Sequence, residues 1–294
     1  MKGAWEAIRY ATYEVKGKAV SGVLRGGSFY PFGLLLGGDL SMPEFIEAAS
    51  APDRPDMEAL IENAAGGGVD AAALKPLAPI PYPIREIICL GKNYADHVNE
   101  INATSGALPA KPVYFAKSAF SVTGPGETIP GHAAATRQID YEAELAVVMG
   151  AECRNLAGSA RGFIFGYTII NDVTARDLQA GHGQWYFGKS LDGFCPMGPV
   201  IVGADEFGYP PSLRIRSRVN GEPRQDSDTG KLIFPIDEVI RQLSAGIALR
   251  PGDVIATGTP AGVGHGFSPA KNLNSGDIVE CEIEGIGILQ NIIG

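Results

Sequence analysis

The sequence predicts a mainly β protein of the α+β class, and three observations carry that prediction. Gly and Pro number 39 and 21 in a chain of 294 residues, about a fifth of it, which implies many turns and short strands rather than a helix bundle. Residues 213–219 and 222–225 read as two strands joined by Asn220-Gly221, a type I′ hairpin signal. Strand-like and helix-like segments do not alternate regularly, which argues against a doubly wound parallel sheet. No internal repeat is seen.

Taken in order, 18–24 reads as a strand. Ser41 and Glu44 form a capping-box pair opening a short helix over 43–49. A second helical stretch, 56–65, ends in Gly66-Gly67-Gly68. Pro76, Pro79, Pro81 and Pro83 then crowd one short segment, and proline fixes φ and removes a backbone donor, so the segment reads as an extended connector. The expected organisation is a small α+β domain over 1–75, a connector over 76–84 and the main domain over 85–294. In the main domain 86–90, 113–116, 139–148, 163–171, 213–219, 222–225, 253–257, 277–283 and 287–292 read as strands. Helices are expected at 94–101 and at 236–243 after Pro235.

Charge and composition exclude several functions. With 24 basic and 33 acidic residues the net charge is −9, and no basic tract offers phosphates a partner, so nucleic acid is not expected. No apolar run approaches the ~20 residues of a membrane span, and the first residues show no apolar signal core. Cys89, Cys153, Cys195 and Cys281 are far apart and form no C-x-x-C pair; reduced, buried thiols in a cytoplasmic protein are expected.

The most informative stretch is IDYEAELAVV, 139–148. Glu142 and Glu144 lie two apart on the expected strand, so they share a face about 6.6 Å apart along the chain. Asp172 stands where the apolar strand 163–171 runs out, a place where a side chain is rigidly held yet reachable. If the three meet at ~5 Å spacing, each pair repels by about 3 kcal/mol at an effective dielectric of 20, and a hard dication removes that repulsion. An oxygen-only set suits Mg²⁺, Mn²⁺ or Ca²⁺ rather than zinc. Spacing alone equally allows two solvent-facing glutamates and an Asp172 that caps a helix over 174–178.

Three further motifs carry chemistry. In GKNYADHVNE, 91–100, His97 and Glu100 sit three apart on one helical face. A Glu that holds one imidazole nitrogen leaves the other as a base of fixed tautomer, although a surface His–Glu pair has the same spacing. Lys189 is a lone cation in the aromatic, Gly-rich run 185–196, placed either to bind a substrate oxygen or to point to solvent. The run DVIATGTPAGVG, 253–264, ends a strand in a Gly/Thr loop whose N–H and hydroxyl groups suit a developing oxyanion or a plain tight turn. His132, His182 and His265 read as loop residues.

Together, GKNYADHVNE, the E-A-E strand, NDVTARDLQ, GKSLDGFCPMGP, VNGEPRQ and RPGDVIATGTPAGVG, in that order, resemble the fumarylacetoacetate hydrolase family, in its acylpyruvate hydrolase-like branch. The resemblance runs from about residue 84 to the C-terminus. It implies a rolled, barrel-like β-sheet catalytic domain with short flanking helices, commonly homodimeric, behind a variable lead domain. It implies Glu142, Glu144 and Asp172 as ligands of Mg²⁺ or Mn²⁺, with Ca²⁺ able to take their place in crystals. His97 and Glu100 become the water-activating dyad on a helix that acts as a mobile lid. Lys189 becomes the site lysine, while Arg176, Gln179 and Thr259 contact the substrate. Trp185, Tyr186 and the segment after Glu100 shape the pocket.

The expected activity is hydrolysis of a C–C bond in an acylpyruvate or fumarylpyruvate-like β-diketo acid, the leaving group departing as a metal-bound enolate. The same site allows an alternative, an isomerase, tautomerase or decarboxylase of 2-oxo or 2-hydroxydienoate acids. A non-enzymatic binding protein would be marked by loss of a ligand or of the dyad, and neither is lost. The partner is a small 2-oxo acid.

Overall fold

In a computed structural model the chain is described over residues 8–51, 54–64, 66–101 and 107–294. Residues 1–7 of the N-terminal stretch judged to lack a signal core fall outside these residues. So do the last residue of the helix expected at 56–65 and residues 102–106, in the expected lid segment.

Two sheets dominate. The strands at the centre of the larger one have both faces covered. Ala143–Met149 is buried throughout and Ile164–Asn171 nearly so, which is why both read as continuous apolar runs. They pair antiparallel with each other. Ala143–Met149 also pairs with Val254–Ala256, which lies parallel to Ile87–Gly91, and that strand pairs with Val113–Lys117 at the edge. On the other side Ile164–Asn171 pairs with Cys195–Gly203. In the smaller sheet Arg214–Val219, Ile278–Ile283 and Gly287–Ile293 alternate buried and exposed residues, because only one of its faces is covered. Its hairpin turns at Asn220 and Gly221, both at positive φ (52° and 78°), as a type I′ turn requires. Among the described strands the sheets stay open and no closed barrel forms.

The small sheet packs against the face of the large one that carries Ala143, Leu145, Val147 and Met149, together with Ile215, Cys281 and Leu289. The opposite face, with Ala146, Val148, Cys89 and Ala256, is covered by Met42, Phe45, Ile46, Met57 and Ile61 from two helices of the lead segment. Those helices are Met42–Ala49, whose Ser41 amide and hydroxyl both donate to Glu44, and Met57–Asn63, capped by Asp56. The strand Arg9–Val15 hydrogen-bonds to Cys195–Gly203. The lead segment therefore shares the large sheet and its core with the main part of the chain. All four cysteines are free and buried, and no described helix is long and apolar enough to cross a membrane.

Two expectations are corrected here. The strand expected over 139–148 is broken: Ile139–Asp140 pairs with Thr174–Ala175, and regular pairing resumes only at Ala143. Side chains replace the ladder at the break, since the Tyr141 amide donates to Asp140 and the Glu142 amide to Asn171. The nine-residue strand Cys195–Gly203 is absent from the expected strands, only its first two residues falling in the loop read over 185–196, and its pairing is hidden by Pro196, Gly198 and Pro199.

Candidate active site

Glu142 sits at the break and Glu144 is the second residue of the strand that follows. Asp172 is the first residue past Ile164–Asn171. Ala143 faces Asn171, and the Asp172 amide donates to the Glu142 carbonyl (2.8 Å), so the pairing itself delivers Asp172 to the two glutamates. One carboxylate oxygen of each lies within 4.8 Å of the others, and all three residues are buried.

The cluster is not bare. Lys189 Nζ bridges Glu142 (2.9 Å) and Asp172 (2.6 Å). Lys117, fully buried, donates to the other Asp172 oxygen (2.6 Å), to the Val173 carbonyl (3.0 Å) and to the Lys189 carbonyl. The Arg176 guanidinium joins Glu142 (2.7 Å) to Asp140 (2.8 Å). Glu144 alone of the three has no ion pair among the described residues and accepts only the Gly258 amide (2.8 Å).

That asymmetry separates the two glutamates. Burial pushes Glu142 up, but Lys189 and Arg176 outweigh it and hold its carboxyl well below the usual range. Burial raises Glu144, the Asp172 and Glu142 charges raise it further, and it ends well above the usual range. The Lys189 ammonium is disfavoured by burial, but Asp172 and Glu142 more than compensate and raise it.

This donor set fits a hard dication. It offers three oxygens, and one of them belongs to a carboxyl whose ionisation is opposed by burial and by the Asp172 and Glu142 charges. Binding a cation should therefore release a proton from Glu144, and affinity should rise with pH until Glu144 ionises unaided. The sign agrees with stability. A raised carboxyl favours the fold below the unfolded carboxyl range and loses that contribution as pH rises through its folded value, whereas lowered Glu142 does the reverse. Calorimetric Mn²⁺ titrations in two buffers of different ionisation enthalpy should give different heats below Glu144's raised value. Equal heats would contradict the proton release.

His97 and Glu100 lie on the helix Ala95–Ile101 with Nδ1 and Oε2 3.3 Å apart. Glu100 is held from behind, because its other oxygen accepts the Gly262 amide (2.9 Å). Gly266 packs so close that an added Cβ would fall 2.3 Å from Glu100 Cδ. The loop donors weighed for an oxyanion are in fact engaged by the site's own carboxylates. Gly258 donates to Glu144, Gly262 to Glu100, and Gly264 (2.7 Å) and His265 (3.0 Å) to Asp140. The Thr259 hydroxyl donates to the Ala143 carbonyl (2.9 Å) and accepts from Gln225 (2.7 Å). Gly258 needs its φ of 100° to aim its amide at Glu144, and a Cβ there would meet Asn93 Cβ at 2.8 Å.

A cavity of about 360 Å³ opens over these groups. His97, Glu142, Glu144, Arg176, Gln179, Lys189 and Thr259 line it. Glu100 and Asp172 are not part of the lining but touch residues that are, Glu100 the His97 imidazole and Asp172 the Lys189 ammonium. Trp185 forms part of the wall, packed on Gly91 and edge-on to Phe115 (5.4 Å between centroids). Tyr186 is half exposed and not part of the lining. Arg176 and Gln179 reach the cavity, but the Arg176 guanidinium is engaged by Asp140 and Glu142 and also donates to Gln179 (3.1 Å). Sequence reasoning missed Lys117 and Asp140. The signal available was a charged residue at the inner end of an apolar run, in VYFAK and in the ID that opens IDYEAEL.

Comparison with known proteins gives three likenesses beyond the family level. The model of a family described as fumarylacetoacetate (FAA) hydrolase C-terminal matches residues 86–293. The chain is 50% identical over 218 residues to the oxaloacetate tautomerase YisK of Bacillus subtilis, covering 74% of this chain and 72% of that protein. Its fold is similar to a solved fumarylacetoacetate hydrolase from Exiguobacterium antarcticum, with a TM-score of 0.84, 42% identity, and 98% and 99% of the two chains covered. It is also similar to a maleylpyruvate hydrolase from Sphingobium sp. SYK-6, solved with manganese(II) and pyruvate, with a TM-score of 0.76, 28% identity, and 97% and 98% covered.

Proposed function

The chain belongs to the fumarylacetoacetate hydrolase family, and from that membership we propose that it is a divalent-cation-dependent enzyme that moves a proton on a small 2-oxo acid, interconverting its keto and enol forms. The observation that carries this is the meeting, in one cavity, of the carboxylate cluster and His97 backed by Glu100. The half-identical tautomerase from Bacillus subtilis supports the choice of reaction.

Glu142, Glu144 and Asp172 would hold the cation, which supplies Lewis-acid polarisation of the 2-oxo group when bound. His97 exchanges the proton at the carbon beside that group. Its Nδ1 is tied to Glu100, which fixes the tautomer and leaves Nε2 as the working nitrogen. Lys189, lining the cavity, neutralises negative charge on the substrate oxygen. Trp185 and Phe115 form an apolar wall that limits water.

A second reading, hydrolysis of a C–C bond in an acylpyruvate, is supported by the likeness to a maleylpyruvate hydrolase. There His97 would take its proton from water. A homodimer is part of the same proposal. Following enol oxaloacetate by its absorbance, with Mn²⁺ or Mg²⁺ and then with chelator, tests the first reading: cation-dependent acceleration is expected. An acylpyruvate in ¹⁸O-water tests the second. Labelled product acid without tautomerisation would replace the first reading by the second, and inactivity on both would remove the two together.

A further inference from the structure

Three basic side chains other than histidine line the cavity: Lys92, Arg176 and Lys189. Arg176 and Lys189 are ion-paired within the carboxylate cluster. Lys92 makes no ion pair or side-chain hydrogen bond among the described residues. Asp177, the acidic residue of the lining outside the cluster, is engaged by Thr136 and by the amides of Arg137 and Leu178.

The backbone at Lys92 is unusual. Its φ is +58°, a conformation that costs a long side chain energy and that Gly or Asn adopts more readily. Its neighbours enforce it. On one side Gly91 packs against Trp185, whose ring an added Cβ would meet at 2.5 Å. On the other, Asn93 is clamped by its side chain to the Thr257 carbonyl (2.8 Å), the Phe234 carbonyl (3.2 Å) and the Phe234 amide (2.8 Å), and by its own carbonyl to the Ile233 amide. The backbone of a cationic residue is thus held in place at the cavity wall, and its side chain has no counter-charge among the described residues. Strain kept at such a place points to a ligand.

We propose that Lys92 recognises the second carboxylate of a dicarboxylic 2-oxo acid whose 2-oxo acid end lies at the Glu142–Glu144–Asp172 cluster. This rests on the cavity taking a 2-oxo acid, and it names the feature that separates diacids from monoacids. The cavity, about 360 Å³, is near the small end of ligand pockets (roughly 300–1,000 Å³), which suits a short diacid.

The test uses two ligands that cannot enolise. Oxamate carries only the 2-oxo acid end, and N-oxalylglycine adds a second carboxylate. Binding calorimetry on Mn²⁺-loaded wild type, Lys92→Asn and Lys92→Arg separates them. Asn tolerates positive φ, so Lys92→Asn removes the charge without adding strain. Expected is a loss of about 10-fold or more in N-oxalylglycine affinity for Lys92→Asn, with oxamate within about 2-fold of wild type and most of the loss recovered in Lys92→Arg. In turnover, KM for oxaloacetate should rise while kcat changes little. Equal losses for both ligands, or none for either, would overturn the role of Lys92. If wild type binds neither ligand, the reading of the cavity fails, and the proposal with it.

Discussion

Asp172→Ala should both inactivate the protein and destabilise it. Lys117 and Lys189 are buried on either side of Asp172 at 2.6 Å, and Lys117 has no other carboxylate partner among the described residues. Deleting one member of a buried ion pair typically costs 3–5 kcal/mol, because the survivor stays desolvated and unpaired. In a chain of this size that lowers Tm by on the order of 10 °C. Activity should fall by about 10³-fold or more, since the cation's contribution to the barrier is several kcal/mol. Asp172→Asn separates the two effects: the amide keeps a hydrogen-bonding oxygen, so more stability than activity should survive. Differential scanning calorimetry beside turnover checks both. An Asp172→Ala protein with unchanged Tm would mean that the buried lysines are not charged as described.

The second large effect is at His97. His97→Ala should lower kcat by about 10²–10⁴-fold, the usual contribution of a positioned acid–base. Mn²⁺ affinity should stay within about 3-fold, because His97 holds no ligand of the cluster. A milder companion is Gly266→Ala. Its Cβ would fall 2.3 Å from Glu100 Cδ, so Glu100 must shift and the imidazole loses its brace. The fall in kcat should be smaller than for His97→Ala, again with cation binding intact. If His97→Ala instead abolished Mn²⁺ binding with kcat preserved at saturating Mn²⁺, His97 would be a ligand and not the base.

Much of this was legible from residue order. The strands expected at 86–90, 113–116, 163–171 and 253–257, the type I′ hairpin, the capping box and the His97–Glu100 pair are set by neighbours close in sequence, and each is found within a residue or two of its expected place. The acidic trio converges although its supposed strand is broken at Tyr141–Glu142. The two glutamates needed only to be near each other, and the break lets Asp140 turn away to Arg176. Lys189 and Arg176 were named from the sequence, but Lys117 and the meeting of the three cations were not legible. Lys117 ends a strand, Arg176 opens a helix and Lys189 closes another, and no spacing rule reports that three such side chains meet.

That omission alters the electrostatics. A repulsion of about 3 kcal/mol per pair applies to bare carboxylates, whereas Lys117, Lys189 and Arg176 already relieve Glu142 and Asp172. The demand for a cation therefore concentrates on Glu144. The Gly/Thr loop carries a similar lesson. Its donors are plain in sequence, but only the fold shows that they face Glu144, Glu100 and Asp140 and so brace the proposed cation ligand and the partner of the proposed base from one element.

Whether Glu142, Glu144 and Asp172 grip a single divalent ion is settled by titrating the full chain with Mn²⁺ and counting free ion by electron paramagnetic resonance, for wild type, Glu144→Gln and Asp172→Asn. One tightly bound ion per chain is expected in wild type, with affinity at least about 10-fold weaker in each variant. Absence of binding by wild type, or binding that both variants retain unchanged, would contradict the metal centre.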